Sequence, residues 1–396
     1  MRQNVSIYKS PMGQIVKGVM VVKFFQVLLN STVLIFLISC ANSSEEQGSW
    51  SEGMRGMAES YNKLLPFMYN KETYSDPQYK KMLSLYLLNL NESASALSSH
   101  AGQGLSGNDP LFDLGLKGLK STIEKARLSY HVESYEYSQV LLQSSVNYCN
   151  SCHSRTSMGP TFSSFDKFSK IQTQLKPIDK VKMLVAVREF PKAVSVIEEA
   201  IAKRDYKGKA ELTKLLRKAM VLTLRNLESP DKALNVLNIL NAKDSRKYKS
   251  WKFSLLKYMK SKKTKVGSRK KNQLNFVDAT LLTVTYHKQL SLFEDKLKRA
   301  QTYLKLGELY DQFPSLGFWE LPEQYFEACI HTKPSSKVAQ QCYFSYENRF
   351  MKFSEIPKFK RIVQVDDKKL KKLKELAFRN KEDSIRMRDG FDGDYW

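Results

Sequence analysis

Apolar residues return at three- and four-residue spacing through most of this chain, the period of one helix face and not of a strand. Met54, Met57, Tyr61, Leu64, Leu65 and Met68 share one such face. A second holds Tyr79, Met82, Leu83, Tyr86, Leu90 and Leu97, and a third holds Phe112, Leu116, Leu119, Ile123 and Ala126. Turn residues are scarce, 17 Gly and 12 Pro among 396 residues, which argues against an all-β chain and its frequent hairpins. With 42% hydrophobic and 26% charged residues the composition is globular, and the length predicts two or three domains. The expected fold is all-α.

Residues 51–160 read as four helices joined by short loops, hence an antiparallel four-helix bundle. The second and third helices open at Asp76-Pro77 and Asp109-Pro110, a capping carboxylate followed by proline at the first helical position. The fourth is expected from about Val132 through Tyr135, Leu142 and Cys149, and it delivers Cys149-Asn150-Ser151-Cys152-His153. C-x-x-C-H is the attachment pattern of c-type haem: two thiols at that spacing add to the two vinyl groups, and the adjacent imidazole reaches the iron. A dithiol redox pair and half of a zinc site share part of the pattern. A thioredoxin-like pair follows a strand, whereas this one closes a helix. A zinc site wants a second pair, and Cys329 and Cys342 lie far away in a different kind of segment. One covalently attached haem c is expected, bound by Cys149, Cys152 and His153.

On that motif and the helices before it, residues 51–160 resemble the class II, cytochrome c-prime-like c-type cytochromes. The resemblance implies His153 as the proximal iron ligand, Cys149 and Cys152 as the thioether positions, and Arg155 as a basic residue beside a haem propionate. For the distal side it implies a methionine of the first helix, Met57 or Met54, as in low-spin members. His100, in a predicted loop, and an open five-coordinate iron are the alternatives. His131 falls at the opposite end of the bundle, about 33 Å away along the helix.

Phe24 to Ile38 is an apolar run behind Lys17 and Lys23, the layout of a secretory signal, and is short for a membrane span. A start at Met20 would give a more ordinary length. Leu37-Ile38-Ser39-Cys40 resembles a bacterial lipobox, which implies a signal peptide over 1–39, lipidation of Cys40 and a polar tether over 40–50. By the same resemblance, Ala41 implies the outer membrane facing the periplasm.

Charge divides the chain. Residues 40–165 carry ten basic and twelve acidic side chains, whereas 166–396 carry 50 basic and 28 acidic. An exported basic half points to an acidic protein or anionic lipid and away from nucleic acid. Within 175–355 the helical pattern runs in pairs, with Phe190-Pro191-Lys192-Ala193 echoed by Ser229-Pro230-Asp231-Lys232-Ala233. Tyr303, Leu306-Gly307, Tyr310, Phe326, Cys329 and Pro334 look like one tetratricopeptide (TPR) repeat with a short insertion, so this half is expected to be a TPR-like α-solenoid. Lys262 to Lys271 is a basic cluster, and 356–396 a basic C-terminal tail. Cys329 and Cys342 flank a turn, and an oxidising compartment permits a disulfide there, with two buried thiols as the alternative.

Together these features predict a membrane-anchored monohaem cytochrome that passes single electrons to a redox partner protein, an electron carrier and not an enzyme. The alternatives are a five-coordinate haem that binds small gases and an envelope scaffold. No distal acid–base pair supports a peroxidase.

Overall fold

Every regular element among the described residues is helical. The computed structural model describes residues 50–99, 109–156, 175–261, 274–318, 320–354 and 367–378, without the side chains of 152–156, 352–354 and 367. Cys40, the Phe24–Ile38 run, His100, Lys262–Lys271 and most of the C-terminal tail lie outside them.

The N-terminal helices are α1 (50–68), the short α2 (Lys71–Tyr74), α3 (Lys80–Ser99), α4 (Pro110–His131) and α5 (Tyr135–Thr156). Their starts follow from capping chemistry. The Asp76 carboxylate accepts from the Gln78 amide and leads through one tight turn, Pro77–Tyr79, into α3. Asp109 accepts from the Leu111 amide and starts α4 directly on Pro110. The fourth long helix begins later than the apolar spacing implies. Val132 closes α4 and is 71% exposed, and Glu133 takes a left-handed conformation at φ 61° that breaks the helix before Tyr135.

Two kinds of contact join these helices. Apolar rows bury Leu64, Leu83, Leu87, Leu90, Ile123 and Leu142. Polar bonds then set α5 in place. Ser138 donates to the Ala126 carbonyl at 2.7 Å and bonds the Tyr74 hydroxyl at 2.8 Å, while Gln139 and Gln143 donate to the Phe67 and Met68 carbonyls.

The C-terminal helices are α6 (Pro177–Ala186), α7 (Phe190–Lys203), α8 (Gly208–Val221), α9 (Pro230–Asn238), α10 (Ala242–Lys247), α11 (Lys249–Ser261), α12 (Phe276–Leu292), α13 (Lys296–Gln312), α14 (Leu321–Thr332), α15 (Lys337–Ser354) and α16 (Asp367–Ala377). Neighbours in sequence pack together as α6 on α7, α12 on α13, α13 on α14 and α14 on α15. Cys329 and Cys342 form a disulfide between α14 and α15, their Cα atoms 6.3 Å apart. Arg349 of α15, buried, pairs with Asp311 of α13 and Glu323 of α14, so one guanidinium fixes three helices. Ionic and backbone bonds attach α16: Lys369 pairs with Glu327 at 2.7 Å, and the Ser335 amide donates to the Leu376 carbonyl.

Residues 56–396 form one compact unit, and the N-terminal helices pack directly on the C-terminal ones within it. α14 lies against α4. Tyr148 of α5 packs its ring at a tilt against Phe318 with centroids 4.6 Å apart, and the Tyr303 hydroxyl of α13 donates to the capping carboxylate of Asp109 at 2.7 Å. Bare glycine surfaces seat two aromatic rings elsewhere in the packing, one between α4 and α5 and one between α13 and α14. A Cβ on Gly118 would stand 2.5 Å from the Tyr148 ring, and one on Gly307 would stand 2.4 Å from the Phe326 ring.

Alanine favours an exposed helix by about 1 kcal/mol over glycine. At Gly307 the overlap with Phe326 reverses that sign. Gly307→Ala is expected to lower stability by roughly 1–3 kcal/mol in chemical denaturation.

Candidate functional site

The C-x-x-C-H segment closes α5, and the antiparallel register of α5 against α1 defines what stands beside it. Tyr61 of α1 and Ser145 of α5 share a buried hydroxyl–hydroxyl bond at 2.5 Å. One turn onward along α5 and one turn back along α1 bring Cys149 and Met57 to the same level. Met57 is 4% exposed and Tyr61 6%, so the α1 face at this level is buried. Cys149 is half-buried, and its thiol donates to the Ser145 carbonyl at 3.8 Å. Burial, followed by the neighbouring Cys149 thiol, holds the Tyr61 hydroxyl well above the usual phenol range, so Tyr61 stays neutral.

Positions 149, 152 and 153 share one face of α5, as i, i+3 and i+4 must. The side chains of Cys152, His153 and Arg155 are outside the described set. Met54 is half-buried on α1, His131 ends α4 at the turn into α5, and no group of three or more His, Cys, Asp or Glu forms a metal cluster among the described residues. This donor set fits a covalently held haem: a half-buried thiol, a second cysteine and an imidazole-bearing residue on one helix face, with a buried thioether level with them. Cys149 faces a buried wall, which suits an apolar macrocycle.

Another face of α5 borders a cleft. Asn147, Asn150 and Ser151 line it, together with side chains from α6 to α8 and from α12 to α14, around about 640 Å³ of empty space with its open mouth included. Its floor is shaped by an irregularity. α8 runs into a π-helical turn, Leu222–Asn226, in which the Leu227 amide donates to the Leu222 carbonyl five residues back. Arg225 projects from this turn and donates to the Tyr310 hydroxyl and the Leu316 carbonyl, both at 2.6 Å. The Tyr310 hydroxyl also bonds His287 Nε2 at 3.0 Å, and its ring stacks on Tyr325 at 5.3 Å. Lys218, half-buried on α8, lines the same cleft. Burial, then the positive charges of Arg225 and Lys182, push its amine down to about 8.

Sequence reading gave no notice of this second site. Lys218 and Arg225 sit in a helix of a lysine-rich half, where either reads as a solvated charge. The signal that could have found them is their seven-residue spacing, which keeps two cations on one helix face otherwise lined by Leu215, Val221 and Leu222. Comparison of the chain with protein-family models, curated proteins and solved structures finds no match.

The Lys218 shift carries a stability sign. An unfolded lysine titrates near 10.4, so between about pH 8 and 10 the unfolded chain binds the proton that the folded one has released. Folding is therefore favoured as pH rises through that window, and the charged amine is a cost below it. Lys218→Met is expected to gain on the order of 1–2 kcal/mol at pH 7, with the advantage shrinking toward pH 10. Denaturant titrations of both proteins at pH 7, 8.5 and 10 would measure it.

Proposed function

We propose that this chain is a lipid-anchored, single-haem c-type cytochrome that carries electrons on the periplasmic side of a bacterial envelope. In this reading α1, α3, α4 and α5 act as a four-helix haem bundle, and the later helix pairs act as a TPR-like solenoid that docks partners. One observation carries it: the C-x-x-C-H motif ends a helix whose register sets Cys149 level with the buried Met57. The disulfide between Cys329 and Cys342 supports an oxidising compartment. Among the described residues no helix is long and apolar enough to cross a membrane. The anchor proposed is acylation of Cys40, with the outer membrane as its place.

Cys149 and Cys152 would hold haem c through thioethers, His153 would bind the iron on one side, and Arg155 would meet a propionate. Bound there, haem c supplies a one-electron ferric–ferrous couple. The chain's own work is exclusion and positioning. Met57, Tyr61, Leu64 and Leu65 present a buried face at and behind the motif, and water has little access to it. Met57 would be the second protein ligand of choice because it is buried and level with Cys149; Met54, half-buried, is the next candidate. His153 and Met57 together would suit electron transfer, because two protein ligands would leave the iron closed to a gas or peroxide. The partners that follow are a redox protein and, for the basic half, an acidic protein or anionic lipid surface.

The test is the absorption spectrum of the mature protein, made in cells with c-type maturation machinery. A covalent low-spin spectrum with a methionine charge-transfer band and no response to carbon monoxide is expected. Met57→Ala should abolish that band and open the iron to carbon monoxide, while Cys149→Ala with Cys152→Ala should give protein without covalent haem. A high-spin spectrum that shifts with carbon monoxide in the unaltered protein would replace electron transfer with gas binding. Absence of covalent haem would leave an envelope scaffold.

A further inference from the structure

The cleft on the other face of α5 plays no part in the haem reading, and its chemistry points elsewhere. It brings Lys218 and Arg225 to one lining, with the exposed Lys182 near enough to add to their field. No carboxylate lines it among the described residues. Both groups that hold Arg225, the Tyr310 hydroxyl and the Leu316 carbonyl, are neutral, so the guanidinium is fixed in direction while its charge stays uncompensated. Its Nε is buried without a hydrogen-bond partner.

Half-buried cations without a counter-charge are costly, because desolvation is not offset by an opposing ion. The depressed amine of Lys218 is that cost made visible. The π-helical turn adds a second irregularity at the same place, and such turns recur at functional sites. Two local departures from the most stable arrangement therefore meet in one cleft, where a ligand would supply the missing charge.

The rest of the lining limits what that ligand is. Val185, Phe190, Leu222, Leu316 and Phe318 make much of the surface apolar. A heavily hydrated dianion would lose too much water against such walls, whereas a carboxylate on an apolar body satisfies both parts.

We propose that the cleft binds a small organic carboxylate, its charged end between Lys218 and Arg225 and its body against Phe190, Leu316 and Phe318. The planar guanidinium suits a carboxylate, and the ammonium adds a point charge. Asn150 and Ser151 supply further polar groups from the helix that carries the C-x-x-C-H motif. The site stands whether or not haem is attached to that motif.

Hexanoate is the probe, titrated calorimetrically into the mature full-length protein, with inorganic phosphate and hexylamine as comparisons. Saturable binding of hexanoate, with neither comparison ligand competing, is expected. Lys218→Gln should weaken it about tenfold, the usual loss for one hydrogen bond to a charged group. Lys218→Arg should keep affinity within a few-fold. Lys218→Met, the variant expected to be more stable at pH 7, should bind no better than Lys218→Gln, which separates loss of the site from loss of the fold. The proposal is overturned if hexanoate shows no saturable binding, or if Lys218→Gln binds as tightly as the unaltered protein. Phosphate competing as well as hexanoate would overturn the carboxylate in favour of an inorganic anion site.

Discussion

α5 is held by buried hydroxyl and amide groups as much as by apolar packing. Ser138 and Ser145 are fully buried, and both hydroxyls are satisfied, by Tyr74 and the Ala126 carbonyl and by Tyr61 and the Leu142 carbonyl. Gln139 and Gln143 reach the last turn of α1. Leaving one such group unsatisfied in the interior costs about 1–3 kcal/mol. Sliding α5 by a single residue would break several bonds at once, while an apolar row could repack. The level at which Cys149 meets α1 is thus a consequence of hydrogen bonding, and the motif inherits its position from four polar residues upstream.

The same helix separates two environments. Toward α1 it presents Ser145 and Cys149 to a buried wall, and toward the cleft it presents Asn147, Asn150 and Ser151. Tyr148 lies between these faces, seated over Gly118 of α4 and packed at a tilt against Phe318. Phe318 is itself part of the cleft lining, so a single aromatic pair links the packing of the N-terminal helices to the shape of the cleft. Tyr310 has a comparable position on the far side, bonding Arg225 and His287 through one hydroxyl while its ring stacks on Tyr325.

Much of the helical pattern could be read from residue order, because capping and periodicity are local. Asp109-Pro110 starts α4 where a capping carboxylate before proline says it should, and most of the anticipated rows of α1 and α4 are buried, whereas in α3 Leu83, Leu90 and Leu97 are buried together with Leu87 while Met82 and Tyr86 are only half-buried. Val132 continues the apolar spacing of α5 yet ends α4, because the break depends on a left-handed Glu133 that no glycine announces. The C-x-x-C-H spacing can be read from residue order, and the structure adds that it closes α5. Its surroundings were partly legible: Met57 and Met54 both fit the apolar row, and the separation between them came from burial and register. The contact of α14 with α4, and the cleft with Lys218 and Arg225, were not legible. They arise from residues far apart in the chain, and a cation on a helix looks the same in sequence whether water or a protein wall surrounds it.

The bond from Tyr303 to Asp109 spans 194 residues. A chain synthesised from its N-terminus at about 5–20 residues per second needs on the order of 10–40 s to travel that distance. For that interval the cap of α4 and the α4 surface that α14 later covers have no partner from the C-terminal helices. Asp109 can cap α4 on its own through the Leu111 amide, but its carboxylate gains the Tyr303 hydroxyl, and α4 its cover by α14, only once the C-terminal helices exist.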